Sequence, residues 1–293
     1  NGIIKIGSET ISGTVNLSLG AEPTGETPNN GTASDVNANL TVDFGFYQPV
    51  NISGNVFVDN NGPANVDGTG IGAPGGTQLY ANLVNASGII DAVVPVNPNG
   101  TYFFADVRPN TTFTMVLSTT AGSVGGTAPT ASLPNGWVNV SEDCCDNTGN
   151  DGATNGITTV VVGMTDVPNV NFGIREPMSL GNLVWNDINK NGLKETSESG
   201  ISGATVKLYA DANLDGVPDG AALATTTTNS NGFYVFNDLF AGNYVIGVTP
   251  PVVASGNAFV SSVQGQEANP NLNVDNNDNG IVTIAGETRS GTV

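Results

Sequence analysis

The chain repeats itself, and that repetition limits its fold more than any other feature. The last fifteen residues, NGIVTIAGETRSGTV (279–293), match the first fifteen, NGIIKIGSETISGTV (1–15), at ten positions without a gap. NGI occurs a third time at Asn155. After Asn1 and Asn155 the chain continues to a shared signature, LTVDFGFY (40–47) and VPNVNFGI (167–174); after Asn279 no such segment follows within these residues. Three further pairs agree: GNVFVD (54–59) with GNLVWND (181–187), LYANLVNASG (79–88) with LYADANLDG (208–216), and NPNGTYFFADV (97–107) with NSNGFYVFNDL (229–239). Repeated segments in the same order imply two modules of one architecture.

The expected organisation is a complete module over 49–176, a second module over 177–293 that lacks its last strand, and closing strands at 1–48 that belong to a preceding or neighbouring module. On this reading the chain is one period of a repeating polymer, cut from something longer, with Asn instead of Met at residue 1. An incomplete sandwich leaves an open edge and an apolar slot, and both take up a complementary strand. The next repeat of a longer polypeptide or another subunit can supply it.

Residue usage gives the fold class. Gly, Asn, Thr, Val and Pro are abundant while Lys, Arg, Glu, Leu and Met are scarce, which disfavours helices and favours short strands joined by tight turns. GNVFVD (54–59), TQLYANLV (77–84), GTYFFADV (100–107), TTFTMVLS (111–118) and TVKLYAD (205–211) read as strands, with turn signals at sandwich spacing between them. The expectation is an all-β chain of tandem immunoglobulin-like sandwiches, one of them split across a repeat or subunit boundary. No run of 18 apolar residues marks a membrane span, and no signal peptide is visible.

Seven Lys and Arg against 26 Asp and Glu give a net charge of −19. Such a surface repels nucleic acid and anionic membranes and suits cations. The acidic residues are not scattered. DINKNGLKETSE (187–198) places oxygen ligands at loop positions one, three, five, nine and twelve, from Asp187, Asn189, Asn191, Glu195 and Glu198. Gly192 takes position six, and the Leu193 carbonyl is available at seven. That is calcium-loop spacing, here following a strand instead of a helix. DANLDGVPD repeats the spacing with Asp211, Asn213, Asp215 and Asp219 around Gly216, but position twelve is Ala222. A missing ligand for that loop is expected from NVDNNDNG (273–280), through Asp275, Asn277 and Asp278. Turn formation is the competing explanation for Asp, Asn and Gly in such loops. The first module keeps weaker echoes, Asp59, Asn61 and Asp67, and Glu142, Asp143, Asp146 and Asp151, without the full spacing.

The second module resembles the B repeats of serine-aspartate repeat (Sdr) surface proteins, within the broader Cna-B group of immunoglobulin-like domains. LGNLVWNDINKNGLKETSESGISGATVKLYADANLDG (180–216) and TTTNSNGFYVFNDLFAGNYVIGV (226–248) carry the resemblance, which is looser over 51–174. It implies calcium-stiffened β-sandwich stalks of cell-wall adhesins, with Asp187, Asn189, Asn191, Glu195 and Glu198 as calcium ligands. Some relatives also form Lys–Asn isopeptide cross-links. No Lys lies between Lys5 and Lys190, so the first module cannot form one internally, and Lys207 in the second is expected to face solvent.

Catalysis finds no support. There is no His to serve as general base or zinc ligand, and the carboxylates sit in loops that a cation explains better than a glycosidase pair does. Cys144 and Cys145 are adjacent and can form a vicinal ring, bridge subunits, or remain thiols; an oxidising exterior favours a disulfide. Trp137 and Trp185 read as packing residues. The expected function is therefore that of an extracellular, cell-surface filament or adhesin stalk, with calcium as the cofactor and other copies of itself as partners. A ligand-binding adhesin domain, with a host or surface ligand, is the alternative.

Overall fold

A computed structural model describes residues 2–6, 9–26, 33–145, 152–252, 259–262, 269–272 and 275–293. It is all-β: among the described residues the only helical turns are short 3-10 segments at Asp35–Asn37 and Pro74–Gly76. No helix there is long and apolar enough to cross a membrane. The chain divides into two compact units. One is Asn1–Ile52 with Ala105–Thr111 and Val161–Val167; the other is Ser53–Phe104 with Thr112–Val160 and Pro168–Val293.

In the first unit, β1 (Gly2–Ile6) and β2 (Glu9–Ser12) form an antiparallel hairpin. Asn51 donates its backbone N–H and its side-chain amide to the Asp166 carboxylate at 2.8 and 3.1 Å, and returns a carbonyl to the Val167 N–H at 2.8 Å. Residues 40–47, expected as a strand, have no regular structure, and Phe44 and Phe46 are 42% and 78% exposed. The reason is physical: an extended segment becomes a strand only when its N–H and C=O groups meet a ladder partner.

The first module is built from β3 (Val50–Val58), β4 (Thr69–Gly70), β5 (Tyr80–Val84), β6 (Ile90–Pro95), β7 (Thr101–Val107), β8 (Thr111–Ser118), β9 (Val138–Cys144), β10 (Ile157–Val162) and β11 (Val170–Arg175). One sheet runs β10-β8-β5-β6 and the other β4-β3-β11-β9, with β7 on the outer side of β3. β3 alternates buried and half-buried residues, the period of two that one covered face demands. β11 is buried at every position, because it lies in mid-sheet between β3 and β9. It pairs in parallel with β3 (Phe172 with Val56, Gly173 with Phe57, Ile174 with Val58) and antiparallel with β9. Its Phe172 and Ile174 join Tyr102, Phe104, Phe113 and Met115 in the core, each contributing about 1.5–3 kcal/mol by leaving water.

The second module follows with β12 (Met178–Leu183), β13 (Thr205–Ala210), β14 (Ala224–Thr227), β15 (Phe233–Leu239), β16 (Tyr244–Thr249), β17 (Gly280–Ile284) and β18 (Glu287–Ser290). Its larger sheet runs β14-β13-β16-β18-β17. The facing sheet holds only β12 and β15 among the described residues. Between the sheets Val206, Leu208, Phe236 and Ile246 are buried, while Leu180, Val184, Tyr234 and Val248 are covered on one side only. Of the twelve largest fully buried side chains described, only Leu208 belongs to this module. Its core is half open.

Arg175, the last residue of β11, ties the two modules together. Its Nη1 and Nη2 donate to the carbonyls of Leu239 and Asp238 at 2.7 and 2.8 Å, and the guanidinium lies 4.1 Å from the centre of the Phe240 ring.

Candidate functional site: an open strand slot beside acidic loops

The two modules superimpose hydrogen bond by hydrogen bond. Val56 donates to Gly100 O and accepts from Ile71 N; Val184 donates to Gly232 O and accepts from Ile201 N. Phe57 pairs with Gly70 as Trp185 bridges Gly200. Asp59 thus corresponds to Asp187, and the extra residue of GNLVWND lies ahead of Val184. The serines agree as well. Ser141 on β9 donates to Asp59 Oδ2 at 2.5 Å, and Ser262 hydrogen-bonds Asp187 while donating to Asp278 Oδ2 at 3.3 Å.

What differs is the strand between these groups. In the first module β11 fills the space beside β3. In the second the edge of β12 beyond β15 borders a cavity of about 320 Å³, lined by Val184, Trp185, Asp187, Tyr234, Ser262 and Val293 among others. Tyr102 donates its hydroxyl to Val170 O on β11. Its counterpart Tyr234 lines the cavity, has no hydrogen-bond partner among the described residues, and is pushed up to about 12 by burial. Trp185 Nε1 is buried and likewise unpartnered there.

The Asp187 loop closes on itself. Asp187 Oδ1 and Oδ2 accept the N–H groups of Asn191 and Gly192 at 3.2 and 2.8 Å, and Asn189 and Asn191 donate their amides to Glu195 Oε1 at 3.2 and 2.6 Å. Glu198 is buried, its oxygens accepting from Ile188 N and Glu195 N. Burial pushes the Asp187 carboxyl up, but hydrogen bonds from Ser262, Gly192, Asn191 and Lys190 outweigh it and hold the group below the usual Asp value. Amide donation from Asn191 and then Asn189 holds Glu195 low too.

The second loop has the same backbone. Asp211 accepts from Asp215 N and Gly216 N at 3.1 and 3.0 Å, and Asp215 accepts from Val217 N at 2.8 Å as Asn191 does from Leu193 N. Both loops place positions four and six in the left-handed region, Lys190 at φ 61° and Leu214 at 63°, Gly192 and Gly216 at 73°. Asn213 donates to Asp215, and Asp219 accepts from Ala212 N at 2.6 Å.

The structure places Asp275, Asn277 and Asp278 against the first loop, not the second: Leu193 bridges Asn277, Lys194 N donates to Asn276 O, and Asp278 N donates to Gly192 O, both at 2.8 Å. Asp275 accepts from Asn182 Nδ2 at 2.9 Å. The second loop is instead met by Thr292, whose hydroxyl donates to Asp211 Oδ2 at 2.5 Å and is the first cause of that carboxyl's low pKa. No group of three or more Asp, Glu, Cys or His is gathered as a ligand set among the described residues. The first loop's donors are nonetheless all oxygen, and Glu195 Oε2 is buried without a partner, so the chemistry fits a hard cation.

Elsewhere, Asn61 Nδ2 donates to Asp67 at 2.9 Å, Asp59 is pushed up by burial, and Glu142 is buried, accepting from Asn155 N and Gly156 N. Asp146 and Asp151 lie outside the described residues. The sulfurs of Cys144 and Cys145 are bonded to each other. Lys207 faces solvent, as expected, and is also paired. Its Nζ sits 3.1 Å from Glu287 Oε2, and Glu287 also accepts from Tyr209 and Arg289.

Fold and site together define a tandem immunoglobulin-like β-sandwich protein with acidic loops in its second module. Residues 178–292 match the family profile "SdrD B-like domain", and this part of the chain belongs to that family. Curated relatives include serine-aspartate repeat-containing protein F of Staphylococcus epidermidis, 29% identical over 252 residues (81% of this chain, 14% of the relative). Protein D of the same series, from Staphylococcus aureus strain Newman, is 31% identical over 228 residues (75% and 15%). The chain thus spans about 15% of the length of these relatives. Among solved structures, GBS52, the minor pilin of Streptococcus agalactiae, aligns at 12% identity and TM-score 0.24 over 83% of this chain and 90% of that one. That superposition is too loose to bear on the fold, which rests on the chain's own strand pairing.

Proposed function

We propose that the chain is a structural module of an extracellular, surface-attached filament or stalk, stiffened by calcium at the second module's loops and propagated end to end by strand complementation. The observation that carries this reading is the open edge of β12. In the first module a strand of sequence NVNFGI completes the sheet, and in the second the same place is a cavity. A segment of matching pattern, LTVDFGFY at 40–47, belongs to no strand of its own chain and has Phe44, Phe46 and Tyr47 exposed. A contact between the slot of one copy and the segment of another joins different surfaces, so it does not close on itself and gives fibres instead of dimers. The surface location and stalk role rest on the relatives' description as serine-aspartate repeat proteins and on the SdrD B-like match. Arg175 supports the same role, since a stalk transmits force only if adjoining modules are held in register.

The test is the double substitution Phe44→Asp with Phe46→Asp in the full chain. Both side chains are exposed, so folding is expected to survive. Sedimentation velocity and electron microscopy should show wild-type oligomers or filaments and a monomeric variant. Wild-type assemblies should fall to a single 29.7 kDa species in denaturant. A double variant that assembles like the wild type overturns strand complementation.

A further inference from the structure

Gly45 has no reason to be glycine in its own chain. Its φ is outside the left-handed region, and a Cβ built there meets nothing within 4 Å. Its counterpart in the closing strand, Gly173, is different: a Cβ there lies 2.1 Å from Ser141 Oγ and 2.6 Å from Asp59 Oδ2. Gly173 is glycine because the closing strand lies directly on the serine–aspartate pair that joins β9 to the end of β3.

The second module holds the same pair, Ser262 and Asp187, at the rim of the open slot. We infer that this pair is the seat for Gly45 of a second copy of the chain, which enters parallel to β12 with Phe44 opposite Val184, Gly45 opposite Trp185 and Phe46 opposite Asn186. This rests on the strand-complementation reading and adds its register. The alignment follows from two observations: DFGF at 43–46 stands where NFGI stands at 171–174, and Val56, Phe57 and Asp59 correspond through their hydrogen bonds to Val184, Trp185 and Asp187. Two consequences follow. Phe44 and Phe46 take the places of Phe172 and Ile174, both fully buried in the first module. The Asp187 N–H donates to the Phe46 carbonyl, as Asp59 N does to Ile174 O at 2.9 Å.

Close pairing is confined to residues 184–186. One turn of the pleat earlier, Asn182 stands where the first module has Gly54, at which a Cβ would lie 1.8 Å from Val170 O. The incoming chain therefore stands off from β12 at Val42. Because the seat contains Asp187, the first residue of the acidic loop, the joint between copies and that loop share a side chain.

Gly45→Ala in the full chain tests this, with Gly163→Ala as the control, since a Cβ at Gly163 also meets nothing within 4 Å. Expected is an unchanged melting curve for both variants, with the concentration for half-assembly raised at least tenfold for Gly45→Ala and unmoved for Gly163→Ala. If Gly45→Ala assembles like the wild type while Phe44→Asp with Phe46→Asp abolishes assembly, the Gly45 seat is wrong and strand complementation stands. If neither variant affects assembly, both fall. A chain that stays monomeric at every concentration also overturns the proposal.

Discussion

Calcium should raise the melting temperature of the second module and leave the first where it is. The perturbation is a titration of the metal-free chain with calcium, reversed by EDTA. At a free concentration one hundred times the dissociation constant, one site that exists only in the folded state stabilises it by about 2.7 kcal/mol. A domain near a hundred residues shifts by roughly 4–8 °C per kcal/mol, so the second transition should move by about 10 °C or more. The structure says why the effect is local. Glu195 Oε2 is buried without a partner and Asp187, Asn189, Asn191 and Glu195 already form one network, whereas in the first module Asp59 accepts from Ser141 and Asn61, Asp67 accepts from Asn61, and among the described residues of 50–175 no buried carboxylate oxygen is left without a partner. Differential scanning calorimetry resolves the two transitions, and Glu195→Gln should remove most of the shift. If calcium moves neither transition, or moves the first as much as the second, the ligand set is wrong.

Other outcomes follow from side chains whose surroundings are equally specific. With EDTA present, acid should act in opposite directions on individual carboxylates. The folded-state pKa values of Asp187, Glu195 and Asp211, and of Asp166 in the first module, lie below the ordinary values, so their contribution is present above about pH 4 and is lost as pH falls further; that of Asp59 is raised, so its contribution grows on acidification. Melting curves between pH 7 and 3 check the sign, and Asp59→Asn should remove the stabilising part of the first module's response. Arg175→Ala removes two charge-assisted hydrogen bonds and a ring contact, and chemical denaturation should show a loss of about 2–3 kcal/mol. The Cys144–Cys145 bond predicts no alkylation without prior reduction, a gain of two hydrogens on reduction, and no change in the species seen on denaturing gels. Alkylation of the untreated protein contradicts it.

The sequence made the local parts of this molecule legible and hid the parts that depend on distant chain. Alternation in TYFFADV and TTFTMVLS marked β7 and β8, and the spacing of Asp187, Asn189 and Asn191 marked a loop whose backbone turns at Lys190 and Gly192. Such features are decided within a few residues. The partners of those features are not. Nothing in NVDNNDNG says that it lies against Leu193 and Gly192 and not against Asp211, because that choice is made by where β17 joins the larger sheet. Lys207 reads as solvent-facing and is so, but nothing near it in the sequence says that β18 brings Glu287 within 3.1 Å of its Nζ. LTVDFGFY has the pattern of a strand yet is not one in its own chain, since strand formation needs an edge as well as a pattern.

The account's central claim, that the second module is closed by residues 40–47 of another copy, meets its most direct test in amide hydrogen exchange compared below and above the assembly concentration. Assembly should slow exchange at Trp185 and Asp187 together with residues 43–46, while Val184 and Asn186, which already donate to Gly232 O and Ser199 O, and the paired amides of β3 and β11 stay unchanged. If the amides of Trp185, Asp187 and 43–46 exchange as fast in the assembled protein as in the monomer, no strand enters the slot and the account is wrong.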